Sequence, residues 1–484
     1  MSVMRTRAGL HVRRAVTLCT LGLLAALHGR PLHAQAQAGM AVAAAADNLE
    51  GRPPAAQLSP LQARLDAAAP GSTIEVAAGQ YDGDLIIDRP IHLLGRNRPR
   101  LVGSGAGSVV RIRANDASIE GFDIDGRDGG SVNADSAGVH VYARRAVIRD
   151  CHVVHALYGI YLREADGVTV ERSTIDGSAG KDPGDQGSGI HLWNTNGFTL
   201  HDNRINNSRD GLYLQSSPNG FITHNIVSDV RYGLHYMFSD NNVFEDNTFE
   251  RSAAGAALMY SKHLVFRRNR FLHNRGFTSV GLLMQGCDDV LAEDNLIADN
   301  ARGIFIEGTH RDVFRRNIIA DSDNAIVMYD SVAECRFEGN SFLGNLSPLQ
   351  LVGRRTDTVF SGNFWSDDED PDLDGDGVRD RPYRLSNVFD HLRGNLTAAD
   401  LFAQGFAAAV LGRAEKTFPV LSPIPVVDER PLTRPPALSQ VPSPPTGTRG
   451  NTVWGLAASL VGLVGGAAVL WSGRRPQVSG GGHR

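Results

Sequence analysis

The chain has 484 residues and a formal net charge of −5. Residues 1–34 contain five arginines and neither lysine nor acidic residues, so the chain beyond them carries a net charge of −10. Such an acidic chain lacks the clustered lysine and arginine that nucleic-acid binding requires, which argues against a nucleic-acid partner. Three cysteines lie beyond residue 34, an odd number, so no disulfide framework is expected.

The first 38 residues have the pattern of a secretory signal peptide. The basic pair Arg13-Arg14 precedes an uncharged, mostly apolar run over residues 15–27. The residues flanking the arginine pair match a twin-arginine signal poorly, which favours general secretion and leaves the twin-arginine route open. Small-residue cleavage positions follow at Ala34, Ala36 and Ala38. We therefore expect residues 1–38 to direct export to the periplasm.

A short helix is predicted just before the first strand. Ser59 is a good N-cap residue, Pro60 suits the first helical position, and Leu61 and Leu65 share one face. Residues 73–76 then alternate as a strand does. Because an open end of stacked strands exposes unpaired backbone and apolar core, we expect this helix to cap the repeats that follow it.

A fixed period organises residues 56–366. Eight asparagines recur at intervals of 22 to 26 residues, with large apolar residues around almost all of them. This period is too short for helical hairpins of about 34 residues and suits coils of short strands. It predicts an all-β, right-handed parallel β-helix in which stacked side-chain amides hydrogen-bond from coil to coil. A leucine-rich-repeat solenoid is the alternative, but phenylalanine and valine stand where its leucines would be. The asparagines are Asn203, Asn225, Asn247, Asn269, Asn295, Asn317, Asn340 and Asn363.

A second column, mostly glycine, follows five of these asparagines by eight residues, and other coils have a glycine in an equivalent place. In the strand after the glycine, the first and third residues face the core and the second and fourth face outward. The outward set contains histidine, methionine and aromatic residues, which indicates a docking surface for a partner or ligand. The alternative is that the chain's own C-terminal segment covers this surface. The expected contact residues are His191, Trp193, Tyr213, His235, Met237, Met259 and Phe305.

Three of these residues suggest a copper site. His235 and Met237 lie on one strand, and Met259 lies one coil further along the solenoid. Coils stack about 4.8 Å apart, so side chains of neighbouring coils can share an ion. Imidazole and thioether donors suit copper. The alternative is that the methionines only pack against their neighbours.

The repeats offer little for catalysis. Many β-helices act on acidic polysaccharides, which requires clustered carboxylates or a basic residue facing one groove. The adjacent pair Asp288-Asp289 falls in a turn, where we expect it to be solvated. We therefore expect no enzymatic activity, and a carbohydrate-active enzyme, such as a uronan epimerase or lyase, is the alternative.

An Asp-rich loop follows the last coil. Asp372, Asp374, Asp376 and Asp380 have the spacing D-x-D-x-D-G-x-x-D, which lets carboxylate oxygens converge on a hard cation. The loop lacks the glutamate that completes an EF-hand and is closer to the shorter calcium loops of extracellular repeats. It predicts a structural calcium site, with an acidic surface turn as the alternative.

Three segments are expected at the C-terminal end. Residues 367–421 hold the Asp-rich loop and a helical cap, and residues 422–450 contain eight prolines and predict an extended spacer. Residues 453–471 carry no charge and begin and end near Trp454 and Trp471, which predicts a transmembrane helix anchored in the inner membrane. A buried helix rich in glycine and alanine is the alternative.

Seven strings carry a family resemblance. They are residues 232–241 (YGLHYMFSDN), 362–366 (GNFWS), 372–377 (DLDGDG), 380–384 (DRPYR), 388–392 (VFDHL), 414–420 (AEKTFPV) and 430–435 (RPLTRP). In these strings the chain resembles the NosD family, and the resemblance runs from about residue 56 to 436. Two features depart from the family pattern, namely the C-terminal span and Arg379, which stands where the family tends to have glycine.

The resemblance implies a periplasmic maturation factor for nitrous oxide reductase, an enzyme of denitrification. It implies a part in assembling the copper–sulfide centre of that enzyme, together with an ABC transporter, made of an ATPase and a permease, and a copper-carrying lipoprotein. The family is commonly labelled copper-binding, but the resemblance brings no ligand motif to this chain. The implied role is that of a scaffold rather than an enzyme.

Overall fold

The computed structural model describes residues 59–129, 135–178, 185–353, 355–385 and 426–436, with residues 182 and 410. The expected signal peptide, most of the expected helical cap, the spacer beyond residue 436 and the expected membrane span at 453–471 lie outside these residues. Within the described part of the chain, no helix is long and apolar enough to cross a bilayer. The chain forms two compact units, divided between Lys262 and His263.

The first unit is a parallel β-helix of eight coils, and every coil contributes one strand to each of three parallel sheets. Strands are numbered in chain order. Sheet A contains β1 (Thr73–Val76), β4 (His92–Gly95), β7 (Ser118–Glu120), β10 (Val147–Arg149), β13 (Thr169–Glu171), β16 (Thr199–His201), β19 (Phe221–Thr223) and β22 (Val243–Glu245). Sheet B contains β2 (Gln80–Asp82), β5 (Arg100–Val102), β8 (Asp123–Gly129), β11 (His152–Ala156), β14 (Thr174–Asp176), β17 (Arg204–Asn206), β20 (Ile226–Ser228) and β23 (Thr248–Glu250). Sheet C contains β3 (Leu85–Ile87), β6 (Val110–Ile112), β9 (Ala137–Val141), β12 (Tyr158–Arg163), β15 (Ile190–Trp193), β18 (Asp210–Gln215), β21 (Tyr232–Met237) and β24 (Ala254–Met259).

The second unit repeats this three-sheet arrangement over five coils. Its sheet A contains β25 (Val265–Arg267), β28 (Leu291–Glu293), β31 (Val313–Arg315), β34 (Arg336–Glu338), β37 (Val359–Ser361), β40 (Val427–Asp428) and β39 (Tyr383–Arg384). Sheet B contains β26 (Arg270–Leu272), β29 (Leu296–Ala298), β32 (Ile318–Ala320), β35 (Ser341–Leu343) and β38 (Phe364–Trp365). Sheet C contains β27 (Val280–Gln285), β30 (Arg302–Glu307), β33 (Asn324–Tyr329) and β36 (Ser347–Val352).

Alternation within these short strands builds the core. In β16 the middle residue Leu200 is buried and its neighbours are half-exposed, and most three-residue strands follow this pattern. The chain then bends at a residue in the left-handed conformation, such as Asp202 (φ 56°) or His224 (φ 57°). Short polar residues tolerate this conformation best. The bend carries the chain from sheet A into sheet B while the apolar side chains stay inside.

The predicted asparagine ladder is confirmed within each unit. Nδ2 of Asn203 donates to Oδ1 of Asn225 at 3.0 Å, and Asn225 repeats this contact with Asn247. In the second unit the same bond links Asn295 to Asn317 and each following ladder residue in turn. The amides are buried and also donate to backbone carbonyls of the preceding coil. The ladder therefore satisfies polar groups at a corner that excludes water.

The predicted N-terminal cap is confirmed as helix α1 (Pro60–Ala67). Oγ of Ser59 accepts the Gln62 N–H at 3.2 Å, as an N-cap residue does. The buried Gln62 amide accepts the N–H of Ile86 at 2.8 Å and donates to its carbonyl at 2.9 Å. This side chain thus takes the place of a neighbouring strand beside β3 and satisfies its free edge.

A returning strand closes the C-terminal end of the second unit. Residue Asp428 on β40 is fully buried, and β40 pairs with β37 in parallel. The Asp428 carboxylate accepts hydrogen bonds from the backbone and side-chain amides of Asn363 and from Nε1 of Trp365, at 2.9 to 3.2 Å. Residues 426–432 were expected to belong to the Pro-rich spacer beginning at residue 422. They belong to the end of the solenoid instead, because the last ladder asparagine needs an acceptor.

Candidate contact face and metal sites

An outward column of histidine and tyrosine rings runs along sheet C of the first unit. Strand pairing places His140, Tyr161, His191, Tyr213 and His235 beside one another on five successive strands. Their ring centroids are 4.6, 4.5, 4.3 and 4.8 Å apart in that order. The structure therefore brings together three of the predicted contact residues and extends them into a continuous stack.

His140 is fully buried, and His191 is half-buried with its Nδ1 shielded from solvent. His140 lies between Tyr161 and Tyr142, whose hydroxyl is 3.0 Å from its Nδ1. Burial lowers the pKa of His140 and of His191 to about 3, so both rings are neutral. The sequence analysis missed His140, although its position on β9 has the same inside–outside alternation. These two rings therefore stack as uncharged groups, and their charge does not change near neutral pH.

The glycine that recurs near the start of many sheet C strands is required by close packing, as Gly211 illustrates. A Cβ added at Gly211 would lie 2.1 Å from Cγ1 of Val227 and 2.7 Å from the carbonyl oxygen of Gly233. Neither contact leaves room for a side chain. This glycine column sets the register with which the outward residues of sheet C line up.

A buried carboxylate, Asp210, stands beside the last histidine of the column. Arg231 holds it with two hydrogen bonds of 2.8 and 2.6 Å, and Nδ1 of His235 lies 3.1 Å from its Oδ2. Burial alone would raise the pKa of Asp210, but the bonds from His235 and Arg231 lower it below its usual value. The sequence analysis missed Asp210 and Arg231. The sequence signal for them was their position, since Asp210 directly precedes Gly211 of the glycine column and Arg231 directly precedes strand β21.

The predicted copper ligands lie on one outward face. Met237 and Met259 are register partners on β21 and β24, both half-buried, and His235 lies on the same strand face as Met237. The soft donors fit copper(I), but Nδ1 of His235 is engaged by Asp210 and lies 3.5 Å from the Arg231 guanidinium. Nε2 is therefore the nitrogen that His235 would offer, and the copper site stays a prediction.

Exposed aromatic residues adjoin this face. Phe238 and Tyr260 follow Met237 and Met259 directly, and their rings stack with centroids 5.4 Å apart. They are 52% and 44% exposed, and both adopt a positive φ, which points them away from the strand. An exposed stacked pair of this kind marks a contact surface. Neither residue was among the predicted contact residues, although Phe238 lies within the string 232–241 that carries the family resemblance.

The remaining predicted contact residues are Trp193 and Phe305. Trp193 is half-buried on β15 beneath the Arg163 guanidinium, whose central carbon is 5.2 Å from the ring centroid. Phe305 belongs to the second unit, where it lies on β30 with its ring 5.5 Å from that of Tyr329. Neither side chain is highly exposed.

Three of the four carboxylates predicted to bind calcium lie close together in the Asp-rich loop. Oxygens of Asp372, Asp374 and Asp376 lie within 4.8 Å of one another. Both Asp372 oxygens accept backbone N–H groups of the loop, at 2.7 and 3.1 Å, and Asp380 accepts the N–H of Leu373 at 2.8 Å. The loop is thus held by its own backbone, and the calcium site stays a prediction.

The acidic pair Asp288-Asp289 is engaged in a turn. Asp289 receives two hydrogen bonds from Arg311 at 2.8 and 2.9 Å, and Asp288 lies 3.0 Å from Nδ1 of His310. These pairs tie neighbouring coils together, as expected for a solvated turn.

Comparison with known proteins identifies the family. A family model described as "Periplasmic copper-binding protein (NosD)" matches residues 178–370. A curated relative from Pseudomonas aeruginosa PAO1, "Probable ABC transporter binding protein NosD", is 33% identical over 76% of this chain and 89% of its own length. The chain belongs to the NosD family. A second NosD relative, from Stutzerimonas stutzeri, is 31% identical over 74% of this chain and 86% of its own length.

A solved structure confirms the fold of this NosD chain. The A-module of the mannuronan C-5 epimerase AlgE6 from Azotobacter vinelandii matches with a TM-score of 0.51 at 16% identity, over 62% of this chain and 93% of the module. At this identity the likeness concerns only the parallel β-solenoid, which is of the right-handed type. The NosD match includes the ring column from His191 onward and ends just before Asp372.

Proposed function

We propose that this NosD chain is a periplasmic docking component of an ABC transporter that serves assembly of the copper–sulfide centre of nitrous oxide reductase. The description of the family model and the names of the relatives support a periplasmic, transporter-associated role. One structural observation carries the docking role. The exposed Phe238–Tyr260 pair directly follows two half-buried methionines, one of them on the strand where the ring column ends, which provides the apolar area that a contact surface requires.

Replacing both exposed rings tests this role. We expect Phe238→Ser/Tyr260→Ser to reduce co-purification with the ATPase–permease pair by at least about tenfold, because truncated anchors cost roughly 2 kcal/mol or more. The chain should keep its thermal stability, since both rings are exposed. Phe221→Ser is the matched control, because Phe221 is 57% exposed in sheet A of the same unit. Equal losses in both variants, or none in the double variant, would remove Phe238 and Tyr260 from the interface.

Copper handling is proposed for His235, Met237 and Met259. Anaerobic titration of the purified chain with Cu(I) should show binding that His235→Ala/Met237→Ala abolishes. Phe221→Ser serves again as the control. Absence of Cu(I) binding in the unmodified chain would leave the protein a scaffold, with copper passing between the lipoprotein and the reductase.

Two further features are proposed for the ends of the chain. The converging Asp372, Asp374 and Asp376 would hold calcium, and Ca²⁺ should then raise the melting temperature of the wild-type chain but not of Asp374→Ser.

Residues 453–471 would anchor the protein in the inner membrane. A chain that ends at residue 450 should then move from the membrane fraction to the soluble periplasmic fraction.

The enzymatic alternative meets a structural difficulty. The His235 imidazole and the Arg231 guanidinium do meet, at 3.5 Å, and a uronan epimerase or lyase would need such basic groups facing a groove. However, Asp210 occupies Arg231 with two hydrogen bonds, so that guanidinium is not free to bind a uronate. Release of unsaturated uronate from alginate or pectin by the purified chain would overturn the non-enzymatic proposal.

A further inference from the structure

Two histidines and an aspartate meet on the outer surface of sheet A, away from the sheet C column. His201 ends β16 and Asp202 follows it, while His224 occupies the turn position of Asp202 one coil later. One ligand atom from each of the three residues lies within 4.8 Å of the others. Such a spacing allows one ion to reach all three donors.

The surrounding coils show why this coil is unusual. From residue 150 to residue 316, the turn position before the ladder residue alternates between acid and base. Arg172 hydrogen-bonds Asp150 at 3.2 Å in the first unit, and Arg316 hydrogen-bonds Asp294 at 2.9 Å in the second. His224 takes the arginine's place opposite Asp202. An arginine remains protonated and cannot ligate a metal, whereas a neutral imidazole can.

The other histidine is already oriented for coordination. Nδ1 of His201 lies 2.7 Å from Oγ1 of Thr223, and its Nε2 lies 2.9 Å from Oδ2 of Asp202. A hydrogen bond on one ring nitrogen fixes the tautomer and aims the other nitrogen at a metal. The rings of His201 and His224 meet edge to face, with centroids 5.3 Å apart. Asp202 and His224 are exposed, so an ion can reach them from solvent.

We propose that His201, Asp202 and His224 form a binding site for a divalent transition-metal ion, with Zn²⁺ and Cu²⁺ as the ions that suit the donors. Two imidazoles and one carboxylate form a borderline donor set, and these ions take three protein ligands while keeping a position open to solvent. The site differs in place and in chemistry from the thioether face of Met237 and Met259. It is therefore independent of the proposed copper(I) site.

The test uses the full chain, titrated calorimetrically with ZnCl₂. His224→Arg restores the acid–base alternation of the column but removes a ligand. We expect it to weaken Zn²⁺ binding by at least about tenfold while leaving the metal-free melting temperature equal or higher. His263→Arg is the matched control, because His263 is another exposed turn histidine, 3.9 Å from Asp289, and its affinity should stay at the wild-type value.

A second variant guards against misfolding. His201→Gln can keep a hydrogen bond to Thr223 and should also lose Zn²⁺ affinity. Cu²⁺ added to the wild-type chain should give an electron paramagnetic resonance signal with nitrogen couplings that both variants lose. Wild-type affinity in His224→Arg, or no Zn²⁺ binding by the wild-type chain, would overturn the proposal. Failure of the transporter or Cu(I) experiments would not affect it.

Discussion

Asp312 is a carboxyl at a position where the first unit has an amide. Its Oδ1 accepts the N–H of Val290 at 2.9 Å, as Oδ1 of Asn242 accepts the N–H of Gly220. Nδ2 of Asn242 also donates to the Ser217 carbonyl at 2.9 Å, whereas the buried Oδ2 of Asp312 has no hydrogen-bond partner among the described residues. Burial raises the pKa of Asp312 to about 7.

This pKa links Asp312 to the pH dependence of stability. The pKa of Asp312 in the folded chain lies above the unfolded value of about 4. The contribution of Asp312 to the free energy of unfolding is therefore fully present below pH 4 and is lost as pH rises through about 7. Asp312→Asn supplies a permanent donor and does not ionise. We therefore expect its gain in unfolding free energy over the wild type to grow between pH 5 and pH 8, by roughly 2–4 kcal/mol. Urea denaturation at both pH values measures this difference.

The reverse substitution provides the control. Asn242→Asp places a carboxyl in the same setting in the first unit and should introduce a loss of stability toward pH 8 that the wild type lacks there. If the advantage of Asp312→Asn is the same at pH 5 and pH 8, Asp312 is not protonated in the folded chain near neutral pH.

At the scale of the element, the solenoid depends on how its ends are closed. Asp428 accepts several N–H groups that would otherwise be buried without acceptors, among them both amides of Asn363. Each such group costs about 1–3 kcal/mol when it is left unsatisfied. We therefore expect Asp428→Ala to lower the free energy of unfolding by about 3 kcal/mol or more. Limited proteolysis should show earlier cleavage within residues 426–436.

Asp428→Asn distinguishes the hydrogen bonds from the charge. An asparagine can accept a hydrogen bond from Asn363 through Oδ1, as each ladder asparagine does for the one before it. Asp428→Asn should therefore lose markedly less unfolding free energy than Asp428→Ala. Equal losses would mean that the carboxylate charge, and not the continued ladder, stabilises this end.

The structural features that could be predicted from the sequence are those that recur with its period. The asparagine period and the inside–outside alternation identified the coils, the core and the outward residues His191, Tyr213 and His235. Asp428 escaped prediction because it stands 65 residues beyond Asn363, where the period has ended. The serine ladder at the next corner, in which Ser217 N–H donates to Ser239 and Ser239 N–H to Ser261, was missed because serine is common in any turn. Asp210 and Arg231 were missed because a buried ion pair has no period of its own.

At the scale of the whole molecule, most neighbouring coils are joined by bonds that recur from coil to coil. Side-chain amides stack at one corner, serine hydroxyls stack at another, and backbone bonds run between equivalent strands. In such a quasi-one-dimensional protein, stability is approximately a sum of coil terms and nearest-neighbour terms. A coil is then removable, provided that the cut preserves the register of all three sheets.

Deleting residues 204–225 removes one coil of 22 residues and joins Asn203 to Ile226, so that Asn203 can bond Asn247. We expect this variant to keep its β-sheet circular dichroism and a cooperative thermal transition, at a lower melting temperature because Asp202 and Asp246 become neighbours on the surface. Deleting only residues 204–214 is the control, since it removes β17 and most of β18, puts β19 of sheet A where a sheet B strand belongs, and should abolish the transition. If both variants fail to show a cooperative transition, the coils are not interchangeable. Because both deletions remove Tyr213, that result would indicate that the ring column holds the first unit together.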